Sequence, residues 1–594
     1  MSMTSAAHPA FGSVAIVGIG GIFPDAPELD RFWQNIVNRH SSAREVPPDR
    51  WAVPADSVFA PEVAARDKVY SRRGCFVSAI PRMTRAPGDP ALPAGLDPLF
   101  HLLLHAGRQA FHDGITGPLD RSRVGVIVGN LALPSEKSSH LSRELLGRTF
   151  EEKLLGRSAG TRSTEPLNRY VAGLPAGILA WSLGLGGGSC TLDAACASSL
   201  YAIKLAMDEL LAGRADAMLT GGVSRPDPLY TQMGFSQLRA LSKRGICSPF
   251  DAAGDGLVVG EGAGIFLLKR TEDAIAHGDR IYGIIRGVGL SNDVGGSLLA
   301  PMSEGQLRAM SAAYRQAGWH PSDVDLIECH ATGTPVGDAT EVASLKELWN
   351  GDGAQGRGCV IGSVKSNIGH LLTAAGAAAL TKVLLAMGEG TLPPTANFTA
   401  PQPGMELEQS PFRVLSAPEP WVRRGDGQPR RAGVSAFGFG GINAHLLVEE
   451  WLPERADIGE TIAVAHHWVA PPKESATGEE PGKPVEIAVV GMDARFGPWH
   501  SLRSFQERTL GRGENDVAPA PPRAWWGAES SPWFRGEGLH RTPFHGYYLD
   551  EVTLPADQFR IPPLELEEML PQQLLMLQSA AAALGDAGLG REGN

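Results

Sequence analysis

The stretch Thr191-Leu-Asp-Ala-Ala-Cys-Ala-Ser-Ser-Leu200 sets a single thiol, Cys196, among small neighbours. Leu200, Ile203, Met207, Leu210 and Leu211 then recur at helical spacing, and Gly213 supplies a stop. The pattern predicts that Cys196 stands at or near the N-terminus of a helix, just after a strand-to-helix turn. Unpaired N–H groups and the helix dipole there favour a thiolate over a thiol. Ala195 and Ala197 leave room for a carbonyl to approach the sulfur. Free cysteine is more commonly a small buried hydrophobe than a nucleophile; the other five, Cys75, Cys190, Cys247, Cys329 and Cys359, lack such a setting and are read as structural.

Two histidines sit at matching junctions downstream. Val324-Asp-Leu-Ile327 reads as a strand, and Glu328-Cys-His-Ala-Thr-Gly-Thr-Pro-Val-Gly-Asp338 follows it, so His330 lies where a strand gives way to a Gly/Thr/Pro loop. Ile361-Gly-Ser-Val-Lys-Ser-Asn-Ile-Gly-His370 runs into an alanine-rich helix from Leu371 to Met387. A lone loop histidine is usually structural; two such junctions beside an activated cysteine suggest a constellation. A fourth segment, Gly433-Val-Ser-Ala-Phe-Gly-Phe-Gly-Gly-Ile-Asn-Ala-His445, has Gly438, Gly440 and Gly441 for close backbone approach. Such a loop can aim N–H groups at a developing oxyanion, with Phe437 and Phe439 excluding water. Taken alone, it reads equally as a tight turn packed by two aromatics.

In this order the four motifs resemble those of the β-ketoacyl synthases of polyketide and fatty-acid synthesis, from about Val14 to about Glu450. The resemblance implies an α/β thiolase fold, layered α-β-α-β-α, built from two similar halves and assembled as a homodimer. The halves are expected over 12–262, carrying Cys196, and 263–450, carrying His330 and His370. It implies a nucleophile at Cys196 that takes an acyl group from a carrier-protein thioester. His330 and His370 would then promote loss of carbon dioxide from a malonyl thioester and stabilise the enolate. The amides of Cys196 and Phe439 would form the oxyanion hole, and Phe439 would also be the gate. Thr332 and Thr334 would contact the pantetheine arm, and Lys365 and Glu341 would form a buried ion pair. No metal and no resident cofactor are implied; substrates would ride on the phosphopantetheine of a separate acyl carrier protein.

Two histidines beside the cysteine distinguish this pattern from thiolases and chalcone-synthase-like enzymes, which carry asparagine or a second cysteine. Asp193-Ala-Ala-Cys-Ala-Ser-Ser departs from the Asp-Thr-Ala-Cys-Ser-Ser-Ser usual in modular polyketide synthases. The alanine-rich version is more similar to ketosynthases of polyunsaturated-fatty-acid synthases and related iterative systems. The alternative function, a non-catalytic chain-length-factor or scaffold subunit, gives no reason to keep all three residues.

The chain repeats itself. Val14-Ala-Ile-Val-Gly18 recurs as Ile487-Ala-Val-Val-Gly491, and at the same offset of 473 residues Phe23, Leu29, Phe32, Pro98 and Asp113 meet Phe496, Leu502, Phe505, Pro571 and Asp586. One register held over about 100 residues indicates a duplicated domain. The expected layout is a linker over 451–484 and, over 485–594, the N-terminal part of a second, chain-length-factor-like ketosynthase domain. The counterpart of Cys196 falls beyond Asn594, so this tail is expected to be loosely packed or docked, and dispensable. Gly18-Ile-Gly-Gly-Ile-Phe23 lacks the third glycine of a dinucleotide-binding fingerprint.

Composition sets the remaining bounds. The 594 residues exceed one ordinary domain, and a net charge of −12 without a long basic run argues against nucleic acid. Unpaired cysteine spacing and the absence of a signal-peptide pattern suggest a reducing, cytoplasmic setting. Val171 to Leu192 is uncharged, but Pro175 and a Gly-Gly-Gly run mark it as buried protein rather than a membrane span. No Gly-His-Ser-x-Gly acyltransferase motif or Asp-Ser-Leu carrier motif occurs, so both functions are expected elsewhere. Arg423, Arg424, Arg430 and Arg431 form a basic cluster that reads as ordinary surface charge or as a face for an acidic carrier.

Overall fold

Val14–Ile22 (β1), VAIVGIGGI, is buried along its whole length, as a strand covered on both faces must be. The structure, a computed structural model, describes residues 13–63, 65–80, 92–93, 95–143, 147, 165–295, 300–349, 358–453, 487–511, 547–549, 551–555, 557–559 and 561–589. The chain divides into two compact units, 1–141 with 163–468, and 142–162 with 469–594.

In the first unit, β1 is joined by Val124–Gly129 (β2), Ser189–Leu192 (β3), Ala217–Ser224 (β4) and Gly262–Arg270 (β5). Their spatial order is β3-β2-β4-β5-β1. β2 runs parallel to β3 and β4, while β5 is antiparallel to β4 and β1. The second half repeats this wiring with Gly283–Asn292 (β6), Leu326–Glu328 (β7), Cys359–Gly362 (β8), Arg431–Gly438 (β10) and Ile442–Glu449 (β11). The order is β8-β7-β10-β11-β6, with the two-residue strand Phe412–Arg413 (β9) on the outer edge of β8. Again the first three are parallel, and β11 is antiparallel to both neighbours. Antiparallel pairing of Val14 with Ile285 joins the halves.

Five helices complete the layers: Pro98–Asp113 (α1), Ser198–Leu211 (α2), Ser303–Ala317 (α3), Pro335–Trp349 (α4) and Ala375–Glu389 (α5). α1 packs on the outer face of β1 and β5, and α3 covers β6 and β11 in the same way. α2 and α5 meet between the halves, where Ile203, Met207 and Leu210 share a core with Leu380, Val383 and Leu384. This is the thiolase fold, α-β-α-β-α. The outer layers approach so closely that only glycine fits: a Cβ on Gly20 would lie 2.0 Å from the Ala106 carbonyl oxygen, and one on Gly289 would lie 1.9 Å from that of Ala309. Gly18 and Gly20 of the Val14–Phe23 segment therefore serve the packing of α1.

The boundary expected at Gly262 is corrected. β5 begins there, and its ladders to β4 and β1 make it the fifth strand of the first half. The halves divide after Arg270 and before Gly283. Pro175–Leu183 is a buried helix with Trp181 as its exposed exception. Among the described residues Leu372–Glu389 alone is long and apolar enough to cross a membrane, and 83% of it is buried inside the protein. The basic cluster is internally neutralised: Arg423 and Arg430 pair with Glu450, Arg424 with Asp325, and Arg431 with Glu449 and Asp323.

The second unit repeats the first locally. Leu502–Leu510 (α6) starts at the offset of the helix Leu29–Val37, and Pro571–Asp586 (α7) matches α1 at both ends. Asp113 accepts from the Ile19 amide at 2.9 Å, and Asp586 accepts from the Met492 amide at 3.0 Å. Phe23 stacks on Phe32, and Phe496 meets Phe505 edge-on. The strand, however, does not form. Ile487, Val489 and Val490 are 91%, 78% and 68% exposed, whereas Val14, Ile16 and Val17 are fully buried. β1 is held by β5 and β6, and the counterparts of those strands would be numbered beyond 594. No residue of α7 is buried. Most of the linker expected over 451–484 lies outside the described residues.

Candidate active site

The turn from β3 to α2 is clamped around Cys196. Asp193 accepts from the Ala195 amide at 2.9 Å and the Ala132 amide at 2.8 Å. Ser198 Oγ accepts from the Ala194 amide at 2.8 Å and donates to the Ala195 carbonyl at 2.7 Å. Ala195 itself is left-handed, with φ of 49°, which costs roughly 1–2 kcal/mol in a non-glycine residue. Cys196 thus stands on a strained elbow just before Ala197, the cap of α2. Gly438 closes over it: an added Cβ would lie 3.0 Å from the Cys196 amide nitrogen.

The two histidines converge on the sulfur. His370 Nε2 lies 3.0 Å from Cys196 Sγ. The His330 ring stands nearly perpendicular to that of His370, with centroids 5.3 Å apart. One donor atom from each of Cys196, His330 and His370 lies within 4.8 Å of the others, so the set has the donors and reach to ligate a soft divalent metal as well as to handle protons. Glu341 holds the strand end before the loop by accepting from the His330 and Ala331 amides, each at 2.8 Å. Asp338 caps the next turn through the Thr332, Gly333 and Phe250 amides. The His370 amide donates to the Val258 carbonyl at 2.7 Å, and Gly369, at φ of 69°, makes the preceding turn.

Cys196, His330, His370, Thr332, Thr334, Glu341 and Phe439 all line one cavity of about 370 Å³. The Thr332 and Thr334 hydroxyls are 3.0 Å apart. Backbone N–H groups of Phe439 and of Cys196 face the sulfur and stabilise its anion. Lys365 is not a lining residue, and the expected Lys365–Glu341 ion pair is absent. The Glu341 carboxylate is committed to two amides, and Lys365 Nζ turns to the Cys329 carbonyl at 3.5 Å. Its charge is still felt, favouring the anionic forms of Glu341 and Cys196 and the neutral forms of both histidines.

Burial dominates the protonation states. It pushes the Cys196 thiol up to about 11, with Lys365 and the Phe439 amide working against it. Burial thus opposes the thiolate that the helix N-terminus was expected to favour. Burial and Lys365 hold both imidazoles well below the usual histidine range, so both are neutral at pH 7. Burial raises Glu341 to about 7 and Asp338 to about 6. The arrangement can move a proton from Sγ to His370 Nε2 and can offer neutral N–H donors to an oxyanion.

Several site residues were not singled out from sequence. Asp338 closes the quoted His330 motif, but its capping role needs the turn geometry. Phe235 sets its ring 6.1 Å from that of Phe439, and Asn443 donates to Asp293 at 2.8 Å beside the glycine loop. Phe235 carries no motif, and Asp293 lies 150 residues from its partner.

The sequence model of the beta-ketoacyl synthase N-terminal domain matches residues 12–274 and, a second time, 485–593; that of the C-terminal domain matches 282–399. A polyunsaturated fatty acid synthase component of a Thraustochytrium species is 32% identical over 99% of this chain and 28% of its own length. Polyketide synthase PksL of Bacillus subtilis is 35% identical over 75% of this chain and 9% of its own. The chain thus spans under a third of these relatives. A solved structure described as the PfaC keto synthase-chain length factor superposes with a TM-score of 0.83 at 35% identity, covering 97% of this chain and 60% of that one. The ketosynthase from module 6 of the Bacillus subtilis bacillaene synthase gives 0.64 at 33% identity, covering 74% and 72%. With both halves of the fold matched, and the N-terminal domain matched a second time over 485–593, the chain belongs to the β-ketoacyl synthase family.

Proposed function

We propose that the first unit is an active condensing enzyme of a polyketide or polyunsaturated-fatty-acid synthase, a 3-oxoacyl-carrier-protein synthase. The observation that carries this is the 3.0 Å approach of His370 Nε2 to Cys196 Sγ, with His330 beside them in one cavity. An acyl thioester on a carrier arm enters past Thr332 and Thr334. The thiol proton passes to His370 as Sγ attacks the carbonyl, and the amides of Cys196 and Phe439 bind the oxyanion. The carrier thiol leaves with that proton, and the acyl group stays on sulfur. A malonyl thioester then replaces it. Its C–C bond to the carboxylate breaks and carbon dioxide departs. The electron pair forms an enolate, stabilised by N–H donors of His330 and His370. The enolate carbon attacks the acyl carbonyl, the C–S bond to Cys196 breaks, a 3-oxoacyl thioester leaves on the carrier, and the released Cys196 thiolate takes a proton from water to restore the thiol.

A cytoplasmic setting, a separate acyl carrier protein and acyltransferase, and a homodimer belong to this reading. The open edge of β3, with Ser189 and Cys190 exposed, favours pairing with a second copy. Incubation with an acyl-carrier and carboxyl-labelled malonyl-carrier should release labelled carbon dioxide and form one 3-oxoacyl thioester per turnover. A protein that acylates but never releases carbon dioxide would overturn the reading in favour of a non-catalytic partner.

A further inference from the structure

We propose that Glu328 and Lys382 form a buried positioning pair that fixes the separation of His330 and His370; the proposal rests on the ketosynthase reading above. Both side chains are completely buried, and Lys382 Nζ lies 2.7 Å from Glu328 Oε2. The contact is off hydrogen-bond geometry, and neither atom has another protein partner. The other oxygen, Oε1, accepts from the Val364 amide at 2.5 Å.

The pair stands where three segments meet. Glu328 ends β7, two residues before His330. Val364 begins the turn into the short helix Lys365–Ile368, which leads through Gly369 to His370. Lys382 lies on α5, the helix that follows His370. One carboxylate therefore ties the strand before the first histidine to the turn before the second, and one ammonium ties both to the helix behind the second. Neighbouring bonds run the same way: the Cys329 amide donates to the Gly362 carbonyl at 2.8 Å, and Ser363 Oγ donates to the Ala331 carbonyl at 2.7 Å. Gly362, at the end of β8, borders the pair: a Cβ there would lie in ordinary contact with Lys382 Nζ, at 3.4 Å, and Glu328 Oε2, at 3.9 Å, and would crowd only Thr395 Oγ1, at 2.9 Å.

Stability alone does not explain such a pair. Desolvation offsets the attraction between two fully buried charges, and an apolar replacement of similar volume is commonly as stable. What an apolar pair cannot reproduce is the directional hold on the Val364 amide. A second fully buried pair, Lys269–Asp279 at 2.6 Å, provides the control, because it ties the end of β5 to the loop before β6 and belongs to neither segment that carries His330 or His370.

The test compares Glu328→Leu/Lys382→Met, which removes both charges and the acceptor of the Val364 amide, and Glu328→Asp, which keeps the charge but shortens its reach, with the control Lys269→Met/Asp279→Asn. Three quantities are read: Cys196 acylation by an acyl thioester, condensation with malonyl-carrier, and the histidine ring separation in crystal structures. Acylation should stay within about threefold of wild type. Condensation should fall about 10²-fold in kcat, the cost of a misplacement near 1 Å, with KM unchanged. The rings should leave their 5.3 Å spacing. The control should lower Tm without separating the two rates. Wild-type condensation and an unmoved ring spacing in Glu328→Asp would overturn the proposal, even if the double variant does not fold. If wild type acylates but never condenses, the ketosynthase reading fails, and the ring spacing still decides the pair.

Discussion

Cys196 is set up as a buried thiol beside a neutral base rather than as a standing thiolate. With the thiol raised to about 11, the thiolate fraction grows about tenfold per pH unit between pH 7 and 9. Alkylation of Cys196 by iodoacetamide should climb with it, and His370→Ala should slow alkylation at pH 7 by removing the proton acceptor. A rate that is flat above pH 6 would mean a thiolate already present. His330 makes no contact of this kind with sulfur. His330→Ala should therefore lower condensation about 10²-fold, as loss of an oxyanion donor does, while acylation stays within a few-fold. Equal losses in both half-reactions would assign His330 to the first step as well.

The elements hold these residues by close approach. Gly289 of β6 lets α3 reach the sheet, as Gly20 of β1 does for α1. Gly289→Ala should lower stability by about 1–3 kcal/mol through overpacking, seen as a lower Tm, and Gly20→Ala should match it. A neutral effect at either position would show that the outer helix can shift outward freely. The helix after Cys196 and both histidine junctions were legible in sequence, because each combines a periodic apolar run with a Gly-, Thr- or Ala-rich turn. The Glu328–Lys382 pair was not: a carboxylate after a strand and a lysine in an alanine-rich helix read as solvated charges until the fold brings them together. Gly262 looked like a boundary for a similar reason, since the ladders of β5 to β1 and β4 are long-range. Glu341 lines the cavity and Lys365 does not, and their expected pairing ignored the two amides that claim the carboxylate.

At the level of the chain, the offset of 473 residues predicted real structure. The Asp586–Met492 bond and the Phe496–Phe505 contact repeat their first-unit counterparts. Local contacts within one strand-helix unit survive duplication on their own; a strand needs partners, and among the described residues Ile487, Val489 and Val490 have none and are exposed. Limited proteolysis between about Pro471 and Pro484 should separate the units and leave a fragment from about Val14 to Glu450 with its acylation intact. Loss of acylation on cleavage would make the second unit part of the working site. The most direct measurement is peptide mass spectrometry after incubation with an acyl-carrier thioester. The mechanism requires one acyl mass per chain, on Cys196, absent in Cys196→Ala and discharged by malonyl-carrier. An adduct on another residue, or one that persists in Cys196→Ala, would contradict it.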